Sequence, residues 1–166
     1  MPSSKEIELK NSDYEGYWTQ KRISARGIII KDNKILFIHE LKDGTYLSPG
    51  GGVENNEILE ECCKREMLEE TGYFVKVKEL FLTVNEYIDT RLFVGNYFIC
   101  EIISQGETKL TQTEQSKSSV AEWLDTDEAF RIFEAYKGLK KIDEGKISLY
   151  NRELTVLKHL KSAGLL

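Results

Sequence analysis

The sequence predicts an α/β chain of the α+β type, and three features of its patterning carry that prediction. β-rich runs recur before, between and after segments of helical character. Residues 58–71 contain neither Pro nor Gly and are rich in Glu, Leu, Met and Lys, a helix-forming composition. Two segments nearer the C-terminus, 125–137 and 150–162, are spaced as amphipathic helices. There is no internal repeat and no low-complexity tract.

Taken in chain order, the elements are these. Residues 1–22 read as an N-terminal leader, loose over its first dozen residues. Runs 23–31 and 34–40 are strands folded about Asp32-Asn33, a hairpin-turn pair. Residues 44–48 form a short strand that Pro49-Gly50-Gly51-Gly52 is expected to end. The helix over 58–71 stops at Gly72. Long strand-like runs at 75–88 and 91–103 join near Asp89-Thr90, and 120–124 is one further strand. The helix over 125–137 opens with Asp125, Thr126 and Asp127, good N-cap types. That over 150–162 carries Leu154, Leu157 and Leu160, with Gly164 beyond its end. The organisation expected is a leader over 1–22, a domain over 23–142, and a C-terminal helical element over 143–166 packed on that domain.

Composition narrows the function. At 166 residues and 40% hydrophobic content the chain can pack one compact domain. Its formal net charge of −5 argues against a broad phosphate-neutralising face for long nucleic acid. If the ligand is also anionic, a divalent cation is the natural bridge. Cys62, Cys63 and Cys100 have no metal-clip or disulfide spacing and read as small buried hydrophobes. The N-terminus lacks the apolar core of a signal peptide and no run approaches a membrane span, so the expectation is a cytoplasmic protein with no membrane partner.

The informative stretch is 51–73, GGVENNEILEECCKREMLEETGY. Glu66 lies three residues before Glu69 and four before Glu70, so a helix gathers the three carboxylates on one patch. Such a cluster repels itself unless it surrounds a hard cation that takes oxygen ligands, and Mg²⁺ or Mn²⁺ fits. A diphosphate adds oxygens to the same ions. Gly50, Gly51 and Gly52 offer a bare backbone that can approach an ion or a phosphate closely.

With Gly51, Glu57, Arg65-Glu66-Met67, Glu69-Glu70 and Gly72 at their spacing, the stretch resembles the box of the Nudix hydrolase family, departing only at Tyr73, where an aliphatic residue is usual. The resemblance implies a mixed sheet held between helices, and a Mg²⁺- or Mn²⁺-dependent pyrophosphohydrolase that cleaves a phosphoanhydride bond. It implies metal ligation by Glu66, Glu69, Glu70 and the carbonyl of Gly51, or of Gly50 if the loop is shifted by one. Glu70 is the first choice as direct ligand and Glu66 the next. It further implies that Arg65 orients a box glutamate, with Glu57 its partner or an outer metal contact. Catalysis then falls to Glu66, Arg65 and Glu69, and substrate contact to Arg26, Gly50, Gly51 and Gly52. Glu114 lies where some members place an extra metal ligand or base, against the plainer reading of an exposed loop acid.

Other residues speak more weakly. Arg22 and Arg26 flank the first strand and could meet a phosphate, though strand-edge arginines commonly just solvate. Tyr14, Tyr17, Trp18 and Tyr46 could stack on a base, with packing the commoner role. His39 and His159 are far apart in sequence and have no catalytic pattern. The substrate implied is a nucleotide-like diphosphate: a nucleoside triphosphate or a nucleoside diphosphate-linked compound. Rival readings are an RNA 5′-end pyrophosphohydrolase and a non-catalytic nucleotide-binding regulatory domain; an isomerase of prenyl diphosphates is remote. The C-terminal helix either closes over the pocket or joins a homodimer interface.

Overall fold

The structure is a computed structural model that describes residues 5–166; residues 1–4, within the expected leader, lie outside the described residues. It contains two sheets. The chain divides into two compact units, one comprising residues up to Ile29 together with Pro49–Lys109, the other Ile30–Ser48 with Leu110–Leu166. This division follows contacts and cuts the chain differently from the leader, domain and helix expected in sequence order.

The first unit is built on a five-stranded mixed sheet. Its strands are β1 (Lys5–Lys10), β2 (Gln20–Ile28), β6 (Gly50–Gly52), β7 (Tyr73–Ile88) and β8 (Arg91–Gln105), in the order β1-β7-β8-β2-β6. β1 runs parallel to β7 and β2 parallel to β8, whereas β7–β8 and β2–β6 are antiparallel. The long hairpin β7–β8 turns at Asp89-Thr90 with Ile88 opposite Arg91, as the sequence predicts, and three register shifts bend it. Helix α1 (Leu59–Thr71) buries Cys62, Cys63 and Met67 and ends at Gly72, whose N–H donates to the carbonyl of Leu68. All three cysteines are buried and unbridged.

Two differences from the sequence reading matter in this unit. Residues 5–10 of the supposed leader are a sheet strand. The Gly50–Gly52 run, expected only to end a strand, is itself one, pairing Ser24, Ala25 and Arg26 with Gly52, Gly51 and Gly50. Pairing with β2, with no side chain of its own, makes this run a strand.

The second unit centres on β4 (Lys34–Glu40), which pairs along one edge with β9 (Ser119–Asp125). On its other edge β4 pairs with β3 (Ile30–Lys31) at one end and with β5 (Thr45–Leu47) at the other. Asp32 and Asn33 both take positive φ, 52° and 60°, in the tight turn the pair predicts. The single run expected over 23–31 is two strands in different sheets, the switch falling at Ile29.

Helices α2 (Gln112–Ser116), α3 (Thr126–Glu134) and α4 (Glu144–Ser162) complete the second unit, with short 3-10 turns at Ala135–Gly138 and Lys141–Asp143. Helix α4 starts six residues before the expected 150. Leu154, Leu157 and Leu160 are buried on it, as their spacing predicts. Phe133 is fully buried, with Phe37 at 5.1 Å and Tyr150 edge-on at 5.0 Å between ring centroids. Among the described residues no helix is long and apolar enough to cross a membrane. Phe133→Ala should cost about 3–5 kcal/mol, read as a lower denaturant midpoint with an unchanged slope; a loss under about 1 kcal/mol would show that this ring is not the core of the second unit.

Candidate active site

The site is assembled from the glycine strand β6 and helix α1, both in the first unit. Arg65 holds it together. Its Nε donates to Glu57 Oε1 at 2.8 Å and its Nη2 to Glu57 Oε2 at 3.0 Å, a two-pronged pair. Nη1 donates to Glu66 Oε1 at 2.7 Å and to Glu69 Oε2 at 3.3 Å, and stands 3.8 Å from Glu54 Oε1. Nη2 also donates to the carbonyl of Gly52 at 3.1 Å. One guanidinium thus meets four acids and ties the helix to the glycine strand.

The electrostatic result follows from these contacts. The Arg65 hydrogen bonds hold the Glu57 carboxyl down at about 2, and the N–H of Glu54 adds to the effect. Reciprocally, Glu57 and Glu66 push the Arg65 guanidinium further up.

Gly51 and Glu66 are fitted to each other. A β-carbon at 51 would come within 2.5 Å of Glu66 Oε1 and 2.8 Å of its Oε2, so the carboxylate occupies the room a side chain would take. Glu70 Oε2 accepts the N–H of Gly50 at 3.0 Å. The carbonyl of Gly51 accepts from the Cys62 thiol at 3.6 Å. Burial pushes that thiol up to about 11, and its bond to Cys100, followed by burial, pushes Cys63 up as well, so neither is a thiolate nucleophile.

The expected residues are thus placed as follows. Glu57, Arg65, Glu66, Glu69, Glu70 and Gly50–Gly52 come together on β6, α1 and the segment between them. Arg26 lies on β2 opposite Gly50, its side-chain stem against that glycine. Glu114 belongs to the second unit, on α2, where it closes a capping box: its Oε1 accepts the N–H of Thr111, and Thr111 Oγ1 accepts its N–H. The Thr-x-x-Glu signature at 111–114 carries that role in sequence, a third reading beside the metal ligand or base and the exposed loop acid considered above. Also missed was the second unit's group at His39, whose Nδ1 is 2.6 Å from Glu122 Oε2 and whose ring stacks on Tyr46 at 3.9 Å. The register of β4 against β5 and β9 creates that group, and nothing local in the sequence signals it.

The NUDIX domain family model matches residues 21–144, three quarters of the chain. The chain belongs to the Nudix hydrolase family. It is similar to a protein of Methanocaldococcus jannaschii named ADP-ribose pyrophosphatase, at 43% identity over 82 residues, 46% of this chain and 48% of that one. The chain therefore spans about half the length of that relative. It is also similar to a MutT-like protein of Streptomyces ambofaciens, at 34% identity over 69% of this chain and 71% of that one. Among solved structures, a NUDIX hydrolase from Nitrosomonas europaea superposes with a TM-score of 0.56 at 23% identity, covering 66% of this chain and 75% of that one. That likeness shows the Nudix fold alone.

Two measurements test the geometry of this Nudix box. A group whose acidity is raised by folding stabilises the fold fully above its unfolded value and progressively less as pH falls toward its folded value. The melting-temperature gap between wild type and Glu57→Gln should therefore be widest near neutral pH and shrink from pH 4.5 toward pH 2. A gap constant with pH would show that Arg65 does not hold Glu57 as described. Gly51→Ala should displace the Glu66 carboxylate and lower turnover roughly a hundredfold, with the circular-dichroism spectrum unchanged; wild-type turnover would refute the fit.

Proposed function

We propose that the chain is a divalent-metal-dependent pyrophosphohydrolase that attacks a phosphoanhydride bond in a nucleotide-like diphosphate, with Glu66, Glu69, Glu70 and the carbonyl of Gly51 as the metal-holding set. The observation that carries the reading is the seat of Glu66 against the bare α-carbon of Gly51, beside a backbone carbonyl and two further carboxylates.

The donor set fits Mg²⁺ or Mn²⁺ because it is all oxygen and mostly anionic. Among the described residues no three acidic, histidine or cysteine side chains already converge as a cage. Arg65 draws Glu66 and Glu69 to itself, and the Gly50 N–H draws Glu70, so a cation would compete for oxygens that are within reach and already oriented. When bound, such a cation would neutralise charge on the diphosphate and acidify a water at the phosphorus.

The chain's own residues do the rest. Arg65 fixes the rotamers of Glu66 and Glu69 through Nη1. Either carboxylate can take a proton from the attacking water at an Oε atom. Glu57 keeps the Arg65 fork in place from the other side and needs no contact with substrate. The N–H of Gly50 holds Glu70 beside the same strand.

A nucleoside diphosphate-linked compound heads the substrate panel because the Methanocaldococcus relative is named an ADP-ribose pyrophosphatase. Purified protein with Mg²⁺ or Mn²⁺, offered ADP-ribose, nucleotide sugars, nucleoside triphosphates, dinucleoside polyphosphates and 5′-triphosphorylated RNA, should release product from at least one of them. Glu66→Gln and Glu70→Gln should each lower that rate roughly a hundredfold or more while melting as wild type does. Metal-independent turnover, or a near-wild-type Glu66→Gln, would refute the assignment. Nucleotide binding with no cleavage of any compound would favour a regulatory domain.

A further inference from the structure

A second guanidinium lies on the glycine strand, and the chemistry above leaves it unused. Along a strand, successive residues face opposite sides of the sheet. The bare side of Gly51 faces Glu66, whereas the bare side of Gly52 faces Arg22: a β-carbon at 52 would lie 3.4 Å from Arg22 Nε and Nη2. β6 is the edge strand of its sheet, so no further strand walls off one face from the other. The same three-residue strand thus carries carboxylates on one side and a cation on the other.

The three arginines nearest the strand are in different states. Arg65 is committed to four carboxylates and to the carbonyl of Gly52. Arg26 is half-buried, its stem lies against Gly50, and it already has an interaction partner. Arg22 is exposed, and among the described residues its guanidinium has no hydrogen bond or ion pair. Parallel pairing with β8 sets the half-buried Phe93 beside it as an apolar neighbour.

We propose that Arg22 is the phosphate-binding arm of the site, reaching across Gly52 to grip the substrate phosphoryl group that lies furthest from the box carboxylates. The proposal rests on the hydrolase reading for the identity of the ligand as a diphosphate. A planar guanidinium matches a phosphate with two parallel N–H···O bonds, and an exposed one gives up little hydration to make them. An acidic chain needs such a group. The cation beside the carboxylates neutralises one end of a diphosphate, and without a positive side chain the other end would face only backbone.

The test uses the full chain and inorganic pyrophosphate, titrated calorimetrically in the presence of Mg²⁺. Arg22→Ala should weaken pyrophosphate binding roughly tenfold or more, and Arg22→Lys should recover part of the loss. Lys76→Ala removes the same charge from an exposed site on β7 and should leave the affinity unchanged. For whichever compound of the panel the wild type cleaves, the loss in Arg22→Ala should fall on KM. Wild-type affinity in Arg22→Ala, or equal losses in Arg22→Ala and Lys76→Ala, would overturn the proposal. A chain that cleaves nothing but still loses pyrophosphate in Arg22→Ala alone would refute the hydrolase reading and uphold this one.

Discussion

The site depends on one guanidinium being held among more negative charge than it can neutralise. Glu54, Glu57, Glu66 and Glu69 all lie within ion-pair distance of Arg65, whose side chain is only 22% exposed. Partly desolvated charges stabilise a fold only when their geometry is good and their remaining hydrogen-bonding groups are satisfied. Arg65 meets that condition by spreading its donors: two to Glu57, one shared by Glu66 and Glu69, and one to a backbone carbonyl. A lysine would supply the charge without the fork and could not hold three directions at once.

From that node the constraints run outward. The fork faces Glu57 across two turns of chain, so the segment between β6 and α1 has to fold back on the helix. Its bond to Gly52 locks the strand to the same helix. The helix can come close enough because residues 62 and 63 are cysteines, small enough to be fully buried on its inner face. Gly51 then has no room for a side chain, because Glu66 has taken it. The glycines, the small residues and the arginine of this segment are consequences of one close approach, and a larger residue at any of these positions would push the carboxylates apart.

What the sequence made legible was whatever is local. Glu66, Glu69 and Glu70 at helical spacing, Gly72 at the helix end, and Asp32-Asn33 between two strands can each be read within a few residues, and the structure puts the glutamates on one helix, Gly72 at its end and the pair in a turn. The failures, Glu114 apart, are long-range. Gly50–Gly52 is a strand because Ser24–Arg26 pairs with it, and no propensity of three glycines announces that. Lys5–Lys10 looks like a polar leader because an edge strand of alternating charge is polar on its own; only its partner β7 makes it part of a sheet. The run over 23–31 is uniformly β-rich, so the change of sheet at Ile29 leaves no mark in composition. Glu114 is the one local signal overlooked, since its capping box sits in the sequence in plain order.

The acidity of the chain, which argues against a broad face for long nucleic acid, becomes intelligible at the scale of single residues. Net charge governs long-range attraction, whereas recognition of a diphosphate is settled within a Debye length of the site, about 8 Å in physiological salt. Within that range Glu57, Glu66 and Glu69 are hydrogen-bonded to Arg65, and so present less free negative charge than their number suggests. On the proposed reading the helix could not dispense with its carboxylates, because the same oxygens that make the chain acidic would hold the metal and accept the proton. A Nudix box therefore makes its protein acidic at the very point where an anion must bind, and selectivity among anions falls to the few positive groups left uncommitted beside the glycine strand. That is why the substrate is the least legible part of this sequence: the box is local, while single residues such as Arg22 are placed beside it by strand pairing and not by any local motif.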